Sequence, residues 1–441
     1  MLRCLEKSLR HPRRNPLCAP LILPARFYAG GKCGDEVTWD EKIKPSFQLK
    51  PVYIKKRTTA ALKQGTGGRS SFSGIVATVF GASGFLGRYV VNALGKIGTQ
   101  VILPYRGDFD EMRRLKLAGD LGQIHFLPYN LKDEDSICKA VMYSNTVINL
   151  VGRDWETKNY KFDDVHVKGA RALAKISKAA GVEKFIHVSA LNAKECPKAY
   201  MKRGGSKWLA SKWEGEEAVR QEFPEAVIFR PSNMVGAEDR FTCYFANKIR
   251  HHYRWMGLYK KGTTAEKQPV YVGDVARGIV EACRCRGLQG QIFQAVGPRS
   301  YYLSELVDWF HRVMRREKAY GWPYRRYDLR WDPLMMFRIS VFPLLTFGHP
   351  FGNLTWESVE RECHSDEIDC SLKTLVDLGV ELTLMEHIVP WVLRPYTHWA
   401  YYDQEVGEFP APSPPEYISV LGQTDEEGED CENTETARGR F

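Results

Sequence analysis

Three glycines stand at regular spacing in the run Gly81-Ala82-Ser83-Gly84-Phe85-Leu86-Gly87. A glycine turn between a strand and a helix accepts backbone angles that other residues resist. It also lets the main chain approach a pyrophosphate and aims the helix N-terminus at that charge. Gly81 and Gly84 are expected to supply the turn, with Ser83, Phe85 and Leu86 completing the seat. Gly87 is expected to permit close helix–sheet packing. The spacing is G-x-x-G-x-x-G rather than G-x-G-x-x-G, so the triplet takes its weight from its context. Further on, Pro104-Tyr105-Arg106-Gly107-Asp108 offers Arg106 first and Asp108 two residues later. A guanidinium grips a ribose 2′-phosphate, whereas a carboxylate accepts from a bare 2′-hydroxyl. The order favours Arg106 and the phosphorylated dinucleotide, NADPH. The alternative is a solvent-facing Arg106 with Asp108 on the ribose.

A second constellation is Trp208-Leu209-Ala210-Ser211-Lys212. Dinucleotide enzymes that work on carbonyls use Tyr-x-x-x-Lys in such a place, the tyrosine being the acid/base. Indole has no proton that titrates near neutral pH. The seat is therefore furnished while the proton-transfer group is absent, and no catalytic residue is assigned. A positioned general acid is worth roughly 10²–10⁴ in rate.

These residues need elements to position them. An apolar, β-branched run from Ile75 to Phe80 stops at the glycines and reads as a buried parallel strand. Phe85, Leu86, Val90, Val91 and Leu94 follow at helical spacing, and Gln100 to Tyr105 is the next strand. Strands are expected at 124–127, 146–151, 184–189 and 226–230, with helices at 133–142, 164–180 and 206–221 between them. A short extended piece at 270–272 leads into a helix at 273–283. Asn130 follows one strand, where an adenine edge belongs, and Leu150-Val151-Gly152 ends another, beside the ribose and nicotinamide. Either set is also compatible with plain sheet-end chemistry. The alternation predicts an α/β fold, a Rossmann-like doubly wound parallel sheet over 72–300 with cap segments near 233–268. A small, mostly helical C-terminal lobe is expected over 301–403, with a helical stretch at 371–394 and no clear period from Trp322 to Trp356.

Bulk properties bound the rest. The 441 residues are 44% hydrophobic and 26% charged, ordinary for a globular chain. The net charge of +10 is uneven. Residues 1–33 hold seven Lys/Arg against one acid, and 417–441 hold seven acids against two Arg. The N-terminal composition suits a mitochondrial presequence over 1–33 better than a secretory signal. An extension and Gly/Ser-rich linker over 34–71 follows, and an acidic tail over 404–441 is expected to be disordered. No aromatic-interleaved basic patch points to nucleic acid. The eleven cysteines include no C-x-x-C pair, so they read as reduced thiols, with no metal site expected. No run of eighteen apolar residues predicts a membrane span. The most apolar stretch, Pro333 to Phe347, is compatible with a membrane surface, a partner groove or an ordinary buried helix.

The glycine turn, Phe185-Ile186-His187-Val188-Ser189, the Trp208–Lys212 pentad, Arg230-Pro231-Ser232 and Pro269–Val275 together resemble the short-chain dehydrogenase/reductase superfamily, in its extended or atypical branch. Longer runs at 73–81, 151–159, 181–189, 223–226 and 236–241 resemble, within it, the family of nucleotide-binding accessory subunits of mitochondrial respiratory complex I. That resemblance implies a tightly held NADPH outside the electron path to quinone. It implies an accessory, non-catalytic subunit of NADH:ubiquinone oxidoreductase on the matrix side of the inner membrane, near the junction of the peripheral and membrane arms. Other complex I subunits would be its partners, with peripheral lipid contact and no substrate. It puts Arg106 near the 2′-phosphate, Lys212 near the nicotinamide ribose and Pro231 at the cofactor. Ser189 lies near the expected serine, although Ala190 competes for that register. The chain departs from the family at Trp208, where a tyrosine is often retained.

Two other readings stand beside this one. One is an active NADPH-dependent reductase or epimerase that uses another donor such as Tyr200. The other is a redox-sensing regulator of the NmrA-like kind.

Overall fold

The computed structural model describes residues 63–201, 204–247, 250–252, 254–318, 322, 324–345, 354–399 and 412–421. The presequence expected over 1–33, most of the extension over 34–71, and residues 404–411 and 422–441 of the tail lie outside them.

Six strands alternate with helices from the glycine turn onward: β1 (Val76–Phe80), β2 (Gln100–Tyr105), β3 (Ile124–Pro128), β4 (Thr146–Asn149), β5 (Lys184–Val188) and β6 (Val227–Pro231). Ile292–Ala295 joins beside β6, and Lys373–Thr374 adds the edge beyond it. Every neighbouring pair is parallel. β1 pairs with β2 on one side and β4 on the other, so the chain winds outward from it in both directions. The crevice at that reversal, at the carboxyl ends of the strands, is where open α/β sheets take ligands.

Both faces are covered, which is why the strands read as near-continuous apolar runs. All five residues of β1 are buried. Leu86, Val90, Val91 and Leu94 of the helix Phe85–Lys96 share a core with Val272, Val275 and Ile279 of the helix Val272–Arg284. On the other face Leu173, Ala174 and Val219 pack with Phe80, Val147 and Phe185. Each such side chain contributes on the order of 1.5–3 kcal/mol by leaving water.

A second core, with Tyr244, Phe245, Leu306, Phe310, Met335, Ile339, Val359 and Val389, builds the lobe. Two expectations are corrected there. The helical stretch expected at 371–394 is helical only over Met385–Leu393 and a 3₁₀ turn at Val376–Leu378, while Lys373–Thr374 is a sheet strand. Part of the tail expected to be disordered is ordered instead. Ser419–Val420 pairs antiparallel with Arg299 and Ser300, where the two serine hydroxyls bond each other, the Ser419 amide donates to Ser300 Oγ and the Ile418 amide donates to the Ser300 carbonyl. The aperiodic segment from Trp322 contains the strand Arg325–Asp328 and the helix Pro333–Leu345. Among the described residues no helix is long and apolar enough to cross a membrane.

Candidate functional site

The turn after β1 has the shape its glycines permit. Gly81 holds φ +83°, and a Cβ there would lie 2.9 Å from the carbonyl of Leu150 on β4's exit. The Gly84 amide donates to the Gly81 carbonyl at 3.1 Å, closing the turn. The helix then starts at Phe85 with no side-chain cap and no acid in its first turn. Its first amides are thus left to an outside acceptor, as an anion seat requires.

The turn forms one wall of a cleft of about 350 Å³. Of the residues expected at the cofactor, Gly81, Gly84, Phe85, Leu86 and Gly87 line it from the turn. Leu150, Gly152, Ser189, Lys212 and Pro231 line it from the ends of β4, β5, β6 and the helix Lys207–Glu222. Ser83 is exposed at the top of the turn and Val151 packs into the core, both off the cleft wall. Arg106 and Asn130 also stand off the wall, together, at the ends of β2 and β3. The Arg106 guanidinium lies 5.0 Å from the Tyr160 ring centre, and the Tyr160 hydroxyl donates to Asn130 Oδ1 at 3.2 Å. Among the described residues Arg106 is in no ion pair.

Lys212 is 6% exposed, and its Nζ donates to the Val188 carbonyl at 3.3 Å. Burial pushes its pKa down to about 8, against the pull of Asp154 and Glu216. Ser189, 4% exposed, has a buried hydroxyl with no partner among the described residues. The indole Nε1 of Trp155, also on the wall, is equally unpartnered. A glycine cradle, an open helix N-terminus, a lysine and two orphaned polar atoms on one wall fit a dinucleotide.

Trp208 lies in the cleft wall, and its one polar atom is spent. Nε1 donates to the Arg153 carbonyl at 2.8 Å, and the Arg361 guanidinium stands 4.4 Å from its ring centre. The Ser206 hydroxyl caps its helix by accepting from the Leu209 amide and donates to Glu357 Oε2 at 2.9 Å. Behind it sits His166, in a π-helical turn at Asp163–Lys168 that continues into the helix Gly169–Ala179. The Arg153 amide donates to His166 Nε2 at 3.2 Å, so the proton is on Nδ1, which donates to Ser211 Oγ at 2.8 Å. Burial, followed by the nearby Lys212 charge, holds this histidine well below its ordinary range, hence neutral.

Sequence reasoning missed much of the remaining lining. Asp154 bonds Arg240 and, at 3.3 Å, Arg361. Burial raises its pKa, but the two guanidiniums outweigh that and hold the carboxyl at about 2. Arg153 to Trp155 follow directly on the predicted Gly152, and that adjacency was the available signal. Arg361 had none, since it arrives on the helix Trp356–Cys363 of the lobe. Tyr200, the alternative proton donor, packs edge-on against His364 and Tyr259 and is off the wall. Tyr244 is on the wall, but its hydroxyl donates to Glu362.

Comparison with known proteins places this architecture. A model of the NAD dependent epimerase/dehydratase family matches residues 77–295. The NADH dehydrogenase [ubiquinone] 1 alpha subcomplex subunit 9, mitochondrial, of Mus musculus is 46% identical over 353 residues, covering 79% of this chain and 88% of its own. The mitochondrial NADH-ubiquinone oxidoreductase 40 kDa subunit of Neurospora crassa is 33% identical over 351 residues, covering 79% and 86%. Among solved structures, gox2253 superposes with a TM-score of 0.50 at 18% identity, covering 73% of this chain and 98% of its own. That last likeness speaks to the fold alone.

Proposed function

This chain belongs to the family of the mitochondrial NADH dehydrogenase [ubiquinone] 1 alpha subcomplex subunit 9, and from that premise we propose that it is a non-catalytic accessory subunit of respiratory complex I that holds NADPH without consuming it. The relatives' names supply the assembly and the mitochondrial setting. The glycine turn, Lys212 and Ser189 supply the dinucleotide seat. Arg106, free of any ion pair among the described residues, supplies the preference for a 2′-phosphate. When bound, a nicotinamide dinucleotide brings a hydride donor. The Phe85 helix N-terminus would hold its pyrophosphate, and Lys212 would hold its ribose.

One observation carries the absence of turnover. The proton that a carbonyl would need has no donor at position 208, because the indole N–H is already committed to the Arg153 carbonyl at 2.8 Å. Lys212 keeps a positioning task and loses the tyrosine it would have activated. The N-terminal presequence, the matrix-side placement and the peripheral lipid contact belong to the same reading.

The test uses tagged full-length protein expressed in mitochondria. Nucleotide released on denaturation should be NADP(H), near one per chain, and the protein should co-migrate with complex I on a native gel. Steady NADPH oxidation with a panel of carbonyls, abolished by Lys212→Ala, would instead establish a reductase. A free soluble pool whose partners follow the NADPH/NADP⁺ ratio would establish a regulator.

A further inference from the structure

Two cations, not one, attend the ring of Tyr160. The Arg106 guanidinium stands 5.0 Å from its centre and the Lys132 ammonium 4.8 Å. They arrive from different elements, Arg106 from the end of β2 and Lys132 from the loop after β3. Two like charges gathered at one ring repel, and an exposed cation–π contact returns only a modest energy. Among the described residues neither is in an ion pair, and the one carboxyl that feels the Lys132 charge, Asp164, already bonds Lys168 and the Lys161 amide. Asp133, next in the chain, uses its side chain to cap the following helix through the Asp135 amide.

The surroundings fix this arrangement. Asn130 Oδ1 accepts from the Tyr160 hydroxyl at 3.2 Å and from the Lys132 amide at 3.1 Å. This pins the ring and the start of the Lys132 side chain to one side-chain amide, and it leaves Asn130 Nδ2 without an acceptor among the described residues. The Tyr160 carbonyl accepts from the Thr157 amide at 2.9 Å, which ties down the far side of the loop. The Lys132 ammonium also donates to the Asn159 carbonyl at 3.4 Å. The result is two cations that stand in no ion pair among the described residues, gathered at one ring beyond the ends of β2 and β3 with the Asn130 amide beside them. That set complements a doubly charged oxyanion better than a ribose hydroxyl.

We infer that Lys132, held by Tyr160 and Asn130, is the second cation of a 2′-phosphate clamp whose first is Arg106. The inference rests on the dinucleotide seat proposed above and names the residues that set its specificity. Arg106 grips as a fork, whereas Lys132 supplies a point charge on a flexible stem. Tyr160 is a positioning residue, and its ring is the part that matters.

Binding decides it. Dissociation constants for NADPH and NADH are measured by nicotinamide fluorescence on the nucleotide-stripped full chain. Lys132→Ala should weaken NADPH by about tenfold, the worth of one charge-assisted hydrogen bond, and leave NADH unchanged. Tyr160→Phe, which keeps the ring, should preserve most of the preference, and Tyr160→Ala should lose it as Lys132→Ala does. Equal weakening of both nucleotides, or of neither, would overturn the clamp while leaving the seat standing. A wild-type chain that prefers NADH would do the same. A wild-type chain that binds neither would overturn the clamp and the seat together.

Discussion

Glu362→Gln keeps the shape of a buried side chain and removes its charge, and its cost follows from what it faces. Arg250 is 1% exposed, and its Nη2 donates to both Glu362 oxygens, at 3.1 and 3.0 Å. Its Nε and Nη1 have no partner among the described residues, so Glu362 is its counter-charge. Burial pushes the Glu362 carboxyl up, and Arg250 pulls it back towards the ionised form. With glutamine in place, a buried guanidinium would face a neutral amide. Breaking such a pair from one side costs about 3–5 kcal/mol, a large share of a total stability of roughly 5–15 kcal/mol. Removing both charges is a different perturbation. Arg250→Met with Glu362→Leu replaces the pair by apolar volume and should fall within about 2 kcal/mol of the wild type. Urea unfolding followed by tryptophan fluorescence reads this, since Trp309 is buried in the same core. A loss below about 1 kcal/mol for the single variant, or a double variant as unstable as the single, would refute the reasoning.

Gly87→Ala would put a methyl 2.5 Å from the Gly81 oxygen and 2.6 Å from Ala82 Cα, whereas Gly84→Ala meets only the Gly81 oxygen at 3.2 Å. The first should cost about 1–3 kcal/mol and the second clearly less, and thermal melts with the order reversed would reject the packing account. Trp208→Phe removes the bond to the Arg153 carbonyl and should cost about 1 kcal/mol. Trp208→Ala also forfeits the Arg361 contact and should cost at least another 1 kcal/mol, so equal urea midpoints for the two would remove the indole's assigned role. Acid should destabilise the fold through three buried histidines. Burial holds His187 and His311 down at about 3 and His251 at about 4, so they are neutral when folded. Once unfolded they take protons near 6.5. The unfolded chain then binds more protons, so this stability is complete above pH 6.5 and is lost as pH falls towards 4. The loss is up to roughly 1.4 kcal/mol per unit per histidine. Identical urea midpoints at pH 7 and pH 5 would count against it.

The sheet was legible because its inner strands are buried on both faces, while the edge strand Ile124–Pro128 is only partly covered. Gln100–Tyr105 matches its expected bounds, and the expected starts of β3, β4 and β5 also coincide with the observed ones. The glycine turn was legible for a related reason, since backbone geometry at Gly81 excludes most other residues. The lobe was not. The helix Pro333–Leu345 is apolar apart from Arg338 and Ser340, too uniformly so to show a period. Lys373–Thr374 and Ser419–Val420 are two-residue strands whose places are fixed by partners remote in sequence. The π-turn that seats His166 leaves no trace in residue type. Half the cleft wall was invisible for the same reason, since nothing local to Arg361 or Glu357 announces that they meet Trp208.

The edge strand Lys373–Thr374 has a consequence for how the molecule comes into being. It covers Ile292–Ala295, and the residues that close the cleft run from Gly81 to Asp366. A chain still emerging from a ribosome or a translocation pore therefore shows a raw sheet border and a half-built nucleotide seat until nearly its whole length is delivered. Loading of the dinucleotide is then a late event in maturation. An interrupted product would expose the border that invites misassembly with its neighbours.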